Sequence, residues 1–445
     1  MLKFVFVVPP LTGHINPTLS VGARLLELGH QVAWISIDAA LAAQLPAGGE
    51  LLLLAYDTTD AQKQEGSDYL HAISRKQVYG IESIKFLYEE VLVPLNRFMY
   101  EGIVDLLKSY RPDVVINDHQ LFAAAVAAVQ LGIPYATSVT APAAIKMRED
   151  LPMVHQWETQ QMVALQQELG LAGDASVVCS ELLTLVFTSR AFFGDMELPE
   201  QYRFVGPVIQ NRPAVTGFDW EAFAARTYKQ CILVTIGTTF SHEHKKAFFE
   251  KVTEALQDEP VTVLVVSDPA LFAEWPQNFI VQTRLPQLEL LPVLDGVVCH
   301  GGHNTVCETL LHGLPLVVIP IAYDQSYVAS RVGQVQAGVR LNFKRFYAKH
   351  LKEAVHEILH KNNYTVAAQR IKASFEQAGG TAAAAQLLLR LATEGVLQAL
   401  PVTETLLPEY LVTEVQQKRL TAEVQPECRA AEIQQEHNKT LHTAQ

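Results

Sequence analysis

Short apolar runs alternate with longer segments of helical periodicity through the first half of the chain. The strand-like runs cover residues 3–8, 31–37, 113–116 and 135–139, and helical periodicity covers residues 17–28 and 121–131. Both helical segments stop at a glycine, Gly29 or Gly132, which is a common way for a helix to end. This alternation predicts a parallel β-sheet with helices packed on both of its faces.

The second half repeats the pattern. Apolar runs recur at residues 231–236, 261–267, 296–299 and 316–319. A chain of 445 residues is longer than one hydrophobic core usually serves, which favours two domains. We therefore predict an α/β fold class with two doubly wound domains. We assign residues 1–206 to the first domain, 207–220 to a linker containing Pro207, Pro213 and Gly217, 221–397 to the second domain, and 398–445 to a polar tail.

The composition narrows the possible partners. The formal net charge of −13 argues against nucleic acid, whose phosphates require clustered Lys and Arg. The five cysteines lack CxxC spacing, so neither a disulfide framework nor a zinc site is expected. The N-terminal apolar run is too short for a signal peptide, and no apolar stretch reaches the roughly 20 residues that span a bilayer. We expect a cytoplasmic protein, and a peripheral contact with a membrane surface stays open.

The most informative chemistry lies where the run at 296–299 ends. His300, Gly301 and Gly302 turn the chain before a helix that begins near residue 303. Glycines allow a close approach of the backbone to a bulky anion, and a helix N-terminus favours a pyrophosphate. Glu308 lies one turn after Asn304, where a carboxylate could accept hydrogen bonds from ribose hydroxyls. A tight turn with ordinary capping would also explain the glycines.

The stretch 285–325 resembles the nucleotide-sugar signature of the family-one glycosyltransferases, the UDP-glycosyltransferase superfamily that includes bacterial macrolide and carotenoid glycosyltransferases. The matching residues are Pro286, Gln287, His300, Gly302, Asn304, Thr305, Glu308, Gly313, Pro315, Pro320, Asp324 and Gln325. The resemblance implies the GT-B architecture, in which two Rossmann-like domains face each other across a cleft. It also implies that the last helix, near residues 381–397, crosses back to the first domain.

The resemblance assigns donor-binding roles to the matching side chains. His300, Asn304 and Thr305 would contact the diphosphate, together with Gly302 and, from a strand end at 234–240, Thr238. Gln287 would lie in the donor site, Glu308 would bind ribose, and Asp324 with Gln325 would bind the sugar hydroxyls, a pattern that often accompanies glucose. Arg284 stands where many members stack a Trp on uracil, and a guanidinium could stack there instead. His303 replaces a second common Trp.

The first half supplies a candidate base. His14 directly follows the first predicted strand, between Gly13 and Pro17, and should project from the loop into the cleft. This arrangement is similar to the catalytic histidine loop of the family, and Asp118 matches the strand-end Asp that orients such a histidine. Turn and capping roles are the alternatives for both residues. Neither DxD spacing nor a ligand cluster suggests a metal, and no cofactor is expected because the UDP-sugar is a co-substrate.

These observations predict an inverting, metal-independent glycosyltransferase that moves a sugar from UDP-glucose, or from another UDP- or TDP-sugar, to a hydroxyl of a hydrophobic acceptor. Residues 60–100 and 145–185 do not fit the strand–helix alternation and are predicted helical insertions over the cleft, where acceptor specificity would lie. Phe86, Phe122 and Met147 would line the acceptor pocket. The chain would act as a monomer or homodimer. A GT-B nucleotide-sugar epimerase and a non-catalytic sugar-nucleotide-binding protein are the alternatives. A hydride-transferring Rossmann enzyme is disfavoured because the first strand–helix turn lacks GxGxxG.

Overall fold

The computed structural model describes residues 1–54, 81–209, 217–237 and 242–395. Seven parallel strands from the first half form one sheet in the order β3-β2-β1-β4-β5-β6-β7. These strands are β1 (Lys3–Val7), β2 (Gln31–Ser36), β3 (Glu50–Leu53), β4 (Val114–Asp118), β5 (Tyr135–Val139), β6 (Thr184–Val186) and β7 (Tyr202–Phe204).

Helices cover this first sheet. They are α1 (Thr12–Glu27), α2 (Ile81–Phe86), a π-helix (Leu87–Leu92), α3 (Val93–Tyr110), α4 (Phe122–Leu131), α5 (Ala143–Asp150), α6 (Pro152–Glu168) and α7 (Arg190–Phe193). The helical segments from α2 to α3 cover residues 81–100 of the first stretch that departed from strand–helix alternation, and α5 with α6 covers 145–168 of the second. Residues 60–80 lie outside the described residues.

A second parallel sheet of six strands has the order β10-β9-β8-β11-β12-β13. Its strands are β8 (Cys231–Thr235), β9 (Thr262–Val266), β10 (Phe279–Gln282), β11 (Gly296–Cys299), β12 (Leu316–Val318) and β13 (Gly338–Arg340). The helices of this half are α8 (Trp220–Ala224), α9 (His242–Leu256), α10 (Gln287–Leu290), α11 (His303–Leu311), α12 (Gln325–Gln334), α13 (Ala348–His360), α14 (Asn362–Gln377) and α15 (Gly380–Glu394).

The two sheets confirm the predicted α/β fold with two Rossmann-like domains. In each sheet the strand order reverses beside its first strand, between β1 and β4 and between β8 and β11. Open parallel sheets bind ligands at such switch points, beyond the carboxyl ends of the strands. His14 and Asp118 lie at the first switch point, and His300 follows β11 at the second.

The start of α1 differs from the prediction. The helical periodicity of residues 17–28 predicted a helix that begins at Pro17. The helix instead begins at Thr12, so His14 lies in its first turn rather than in a loop, and Pro17 lies inside the helix. Because Pro17 has no N–H, it cannot pair with the carbonyl of Gly13 four residues earlier. That carbonyl is left for another donor.

Both sheets belong to one compact unit, which spans Met1–Thr216 and Tyr228–Leu397. Within it, α15 packs against α1 and the first sheet, where Ala384, Leu388 and Leu391 share a buried cluster with Phe4 and Leu19. The segment Gly217–Thr227, which holds α8, belongs to a separate small unit. The domain borders remain a prediction, and the polar tail at 398–445 lies outside the described residues. None of the described helices is long and apolar enough to cross a membrane.

Candidate active site

A cavity of about 1190 Å³ lies beyond the carboxyl ends of the two sheets. The first half contributes His14 and Thr140 to its lining, and the second half contributes Gly302, Glu308 and Asp324. The predicted base and the predicted donor site therefore share one cavity.

His14 and Asp118 form a hydrogen-bonded pair at the base of this cavity. Nδ1 of His14 lies 3.0 and 2.9 Å from the two carboxylate oxygens of Asp118. The side chain of Asp118 is fully buried, whereas that of His14 is 12% exposed. With Nδ1 donating to the carboxylate, the lone pair of Nε2 is free to accept a proton. Asp118 also accepts a hydrogen bond from the backbone N–H of Gln120, but it does not cap the helix that follows.

The electrostatic surroundings favour an ion pair between protonated His14 and the ionised Asp118 carboxylate. Burial disfavours the imidazolium, but Asp118 outweighs this effect, so the pKa of His14 is raised above its usual 6.5. Burial opposes ionisation of Asp118, but His14, His119 and the Gln120 N–H together lower the pKa of the carboxyl. Burial lowers the pKa of His119 to about 4, so this histidine is neutral near pH 7.

Two residues beside the pair were not assigned from the sequence. The hydroxyl of Thr140 lies 2.8 Å from Nδ1 of His14 and donates to Asp118 at 3.3 Å. Thr140 directly follows β5, so its place at the end of the strand next to β4 was a usable signal. The ring of His119 is buried in the cavity wall, with its centroid 5.4 Å from that of His14.

The ligand atoms of His14, Asp118 and His119 lie within 4.8 Å of one another, a spacing that could hold a metal ion. In this structure the Asp118 carboxylate is engaged by His14, Gln120 and Thr140. The arrangement therefore has the hydrogen-bonding pattern of an oriented base.

The predicted diphosphate side of the cavity contains His300. A Cβ atom at Gly302 would lie 2.8 Å from Nε2 of His300, and one at Gly237 would lie 2.8 Å from Cε1 of the same ring. The imidazole is thus held between two glycine backbones. Burial lowers its pKa to about 4, so the ring is neutral. The helix α11 starts next to it, at His303, without a side-chain cap on its first N–H groups.

Asn304 joins the two halves of the site. Its side-chain N–H donates to the carbonyl of Gly13 at 3.0 Å. This is the carbonyl that Pro17 leaves without a helical partner. The first turn of α1, which carries His14, is thereby tied to the first turn of α11.

Glu308, the predicted ribose ligand, has a side-chain partner. Gln287 donates from Nε2 to a carboxylate oxygen of buried Glu308 at 2.6 Å. Thr305 and Arg284 line the same cavity, with Arg284 exposed. Thr238 lies outside the described residues, so its predicted phosphate contact stays a prediction.

Asp324 and Gln325, the predicted ligands of the donor sugar, line the cavity as well. Burial raises the pKa of Asp324 to about 6, and the charge of His14 opposes that rise. The amide oxygen of Gln325 accepts from the backbone N–H groups of Ile321 and Ala322 at 2.9 and 3.0 Å. Its amide nitrogen is therefore the end that can reach a sugar hydroxyl.

His303, which replaces a Trp of the family pattern, bonds to the first half of the chain. Its Nε2 lies 3.1 Å from the carbonyl oxygen of Phe187, and burial lowers its pKa to about 4. This imidazole is a neutral link between α11 and the loop after β6.

Two of the three residues that were predicted to line the acceptor pocket do not line the cavity. Met147 lines the cavity, but Phe86 and Phe122 do not. They belong to a buried cluster with Leu92 and Leu165 that supports the wall from behind. Helical periodicity predicts a buried face without identifying what covers it. In these two cases the covering group is the neighbouring helix.

Known proteins are similar to this chain in sequence and in fold. Residues 196–374 match the family model for UDP-glucoronosyl and UDP-glucosyl transferase. The chain is 27% identical over 387 residues to NDP-glycosyltransferase YjiC of Bacillus subtilis (strain 168), covering 84% of this chain and 94% of that protein. It is 29% identical over 406 residues to the protein of the same organism named uncharacterized UDP-glucosyltransferase YojK, covering 85% and 95%. Among solved structures, the calicheamicin glycosyltransferase CalG4 superposes with a TM-score of 0.69 at 22% identity, covering 89% of this chain and 100% of that one.

Proposed function

Because residues 196–374 match the family model for UDP-glucoronosyl and UDP-glucosyl transferase and the chain has the GT-B fold, we propose that it belongs to the UDP-glycosyltransferase superfamily and moves glucose from UDP-glucose to a hydroxyl of a hydrophobic small molecule. The protein is a glycosyltransferase that takes its sugar from a nucleotide-sugar donor. The base, the sugar and the stereochemistry are the finer parts of this proposal; the lining of the cavity supports the base, and the resemblance of residues 285–325 supports the sugar. UDP-glucose is a co-substrate in this proposal, and no cofactor takes part.

His14 is the proposed general base. The acceptor hydroxyl gives its proton to Nε2 as its oxygen attacks the anomeric carbon of the donor. Asp118 holds the tautomer that leaves Nε2 open and stabilises the imidazolium that forms. The electron pair of the broken bond between the anomeric carbon and the phosphate oxygen leaves with UDP. One displacement of this kind turns an α-linked donor into a β-glycoside.

The leaving diphosphate is stabilised by the start of α11. The first N–H groups of this helix have no side-chain cap, and the N-terminal end of a helix favours an anion. His300, Asn304 and Thr305 stand beside this end as the proposed phosphate contacts. When the phosphate binds, it competes with the Gly13 carbonyl for the amide of Asn304.

The observation that carries the proposal is that the proposed base and the proposed ligand of the donor sugar line one cavity, although they come from different sheets. The hydrogen bond from Asn304 to the Gly13 carbonyl, at 3.0 Å, ties the helix turn that carries His14 to the start of α11. This arrangement supports a reaction in which a sugar held by Asp324 is attacked on the side of His14.

A panel of hydroxylated aromatics, macrolides and carotenoids, incubated with UDP- and TDP-sugars, tests the function. Mass spectrometry should detect the acceptor plus one hexose, and UDP should be released only when an acceptor is present. An epimerase would release no net UDP, and a non-catalytic binder would give no product. A donor preference for TDP would instead overturn the assignment of uridine, which Arg284 is proposed to stack upon.

Glu308→Ala should weaken binding of the donor. A carboxylate that accepts hydrogen bonds from ribose hydroxyls contributes about 1.5–3 kcal/mol, which corresponds to about a ten- to hundredfold loss of UDP affinity. Isothermal calorimetry with UDP measures this loss. The exposed Glu274→Ala provides the matched control and should bind UDP like the wild type. Equal affinities in all three proteins would remove Glu308 from the donor site.

Chelation should leave the reaction intact. Since the diphosphate is met by helix N–H groups and neutral side chains, EDTA should change the initial rate by less than about twofold. Assays before and after dialysis against EDTA check this expectation. Loss of activity that Mg²⁺ or Mn²⁺ restores would show that His14, Asp118 and His119 hold a metal instead of forming an oriented base.

A further inference from the structure

A buried acid in the acceptor half of the cavity takes no part in the proposed reaction. Glu158 lies on α6, lines the cavity and is only 2% exposed. A carboxyl removed from water is costly unless a polar partner compensates for the loss of hydration. Tyr88 also lines the cavity, and an interaction with its hydroxyl offsets part of the effect of burial on the Glu158 carboxyl.

The surroundings of this pair are apolar and aromatic. The ring of Tyr88 stacks on Phe122 with centroids 6.0 Å apart and meets Trp157 edge-on at 5.7 Å. Behind them lies the buried cluster of Phe86, Leu92 and Leu165. Glu158 and Tyr88 therefore form a polar point on an otherwise apolar wall.

The backbone around Tyr88 is also unusual. Tyr88 lies in the π-helix Leu87–Leu92, which interrupts the helical run between α2 and α3. Widened turns of this kind are rare and occur frequently at functional sites. Here the widened turn carries Tyr88, which lines the same cavity as Glu158.

We propose that Glu158 and Tyr88 recognise the acceptor, selecting hydrophobic molecules that carry a carbonyl or ether oxygen in addition to the hydroxyl that receives the sugar. This inference rests on the proposed function, because it names the substrate class of the same cavity. Burial raises the pKa of Glu158 to about 8, so its carboxyl is protonated near neutral pH. A protonated carboxyl can accept from Tyr88 with one oxygen and donate to the substrate with the other.

Matched acceptors test the inference. The first pair of probes is 6-acetyl-2-naphthol and 6-isopropyl-2-naphthol. The second pair is 4′-acetyl-4-hydroxybiphenyl and its 4′-isopropyl analogue. Within each pair, a methyl group replaces the carbonyl oxygen. The ratio of kcat/KM for the acetyl over the isopropyl probe is compared between the wild type and variants, so the intrinsic reactivity of each phenol cancels. Affinities of the same probes are measured by calorimetry with UDP bound.

For at least one pair, Glu158→Leu should lower this ratio by about tenfold, the effect of one buried hydrogen bond. Glu158→Gln keeps an N–H donor and should stay within about threefold of the wild-type ratio. The matched control is Gln160→Leu, an exposed position on the same helix, which should leave the ratio unchanged. Glu158→Leu should also unfold at a temperature equal to or above that of the wild type, because leucine removes a buried carboxyl.

Equal ratios in the wild type and Glu158→Leu for both pairs would overturn the inference, as would selection for a cationic probe such as 6-(dimethylaminomethyl)-2-naphthol. A lower unfolding temperature of Glu158→Leu with an unchanged ratio would assign the acid a structural role and also overturn it. Discrimination in binding without any transfer would instead count against the proposed function alone.

Discussion

Replacing His14 with alanine should lower kcat for glycosyl transfer by at least about a hundredfold, because the acceptor hydroxyl would lose the base that takes its proton. Affinity for UDP should stay close to that of the wild type, since the donor side chains come from the second sheet. Steady-state kinetics and calorimetry on the same preparations separate the two effects.

His14→Ala leaves the buried Asp118 carboxylate without its main partner, so a second variant is needed to separate loss of the base from misfolding. His14→Asn keeps an N–H near the position of Nδ1 but cannot act as a base. Both variants should lose activity, whereas exposed His356→Ala should not. Full activity in His14→Asn, with normal folding by circular dichroism, would show that another group accepts the proton.

Asp118→Asn should have the second largest effect, a drop in kcat of about a hundredfold or more, since an amide in place of the carboxylate favours the wrong tautomer of His14. The pH dependence should change as well. The active base is the neutral form, so the rate of the wild type rises with pH through the raised pKa of His14.

Without the carboxylate, burial dominates and lowers the pKa of His14, so the acid limb of the pH–rate profile should move to lower pH. The variant would thus be slower at its plateau but less inhibited by acid. Profiles of kcat/KM between pH 5 and 9 measure both effects. An unchanged acid limb would mean that Asp118 does not set the protonation of His14.

The parts of the site whose residues lie close together along the chain could be predicted from the sequence. The strand β11, its glycine turn and the start of α11 lie within a dozen residues, so the pattern predicted both the elements and their orientation. The pairing of His14 with Asp118 spans 104 positions. It could still be predicted, because parallel neighbours such as β1 and β4 bring their carboxyl ends together.

The remaining features depend on how the helices and sheets pack. The contacts of Asn304 with Gly13 and of His303 with Phe187 join the two halves, and no periodicity encodes them. Glu158 escaped attention because acids on a helix are usually solvated, and its burial follows from the placement of α6 over the cavity. The prediction placed the start of α1 too late because the helix includes Pro17. The Gly13 carbonyl, which Pro17 cannot reach with an N–H, accepts a hydrogen bond from Asn304 instead.

The anomeric configuration of the product tests the central claim most directly. A single displacement, with His14 on one side of the sugar and the diphosphate held by α11 on the other, must invert the anomeric carbon. Proton NMR of the purified glycoside made from α-linked UDP-glucose should therefore give the large coupling of a β-glucoside, with one UDP released for each glycoside formed. A product that retains the α configuration would contradict the account.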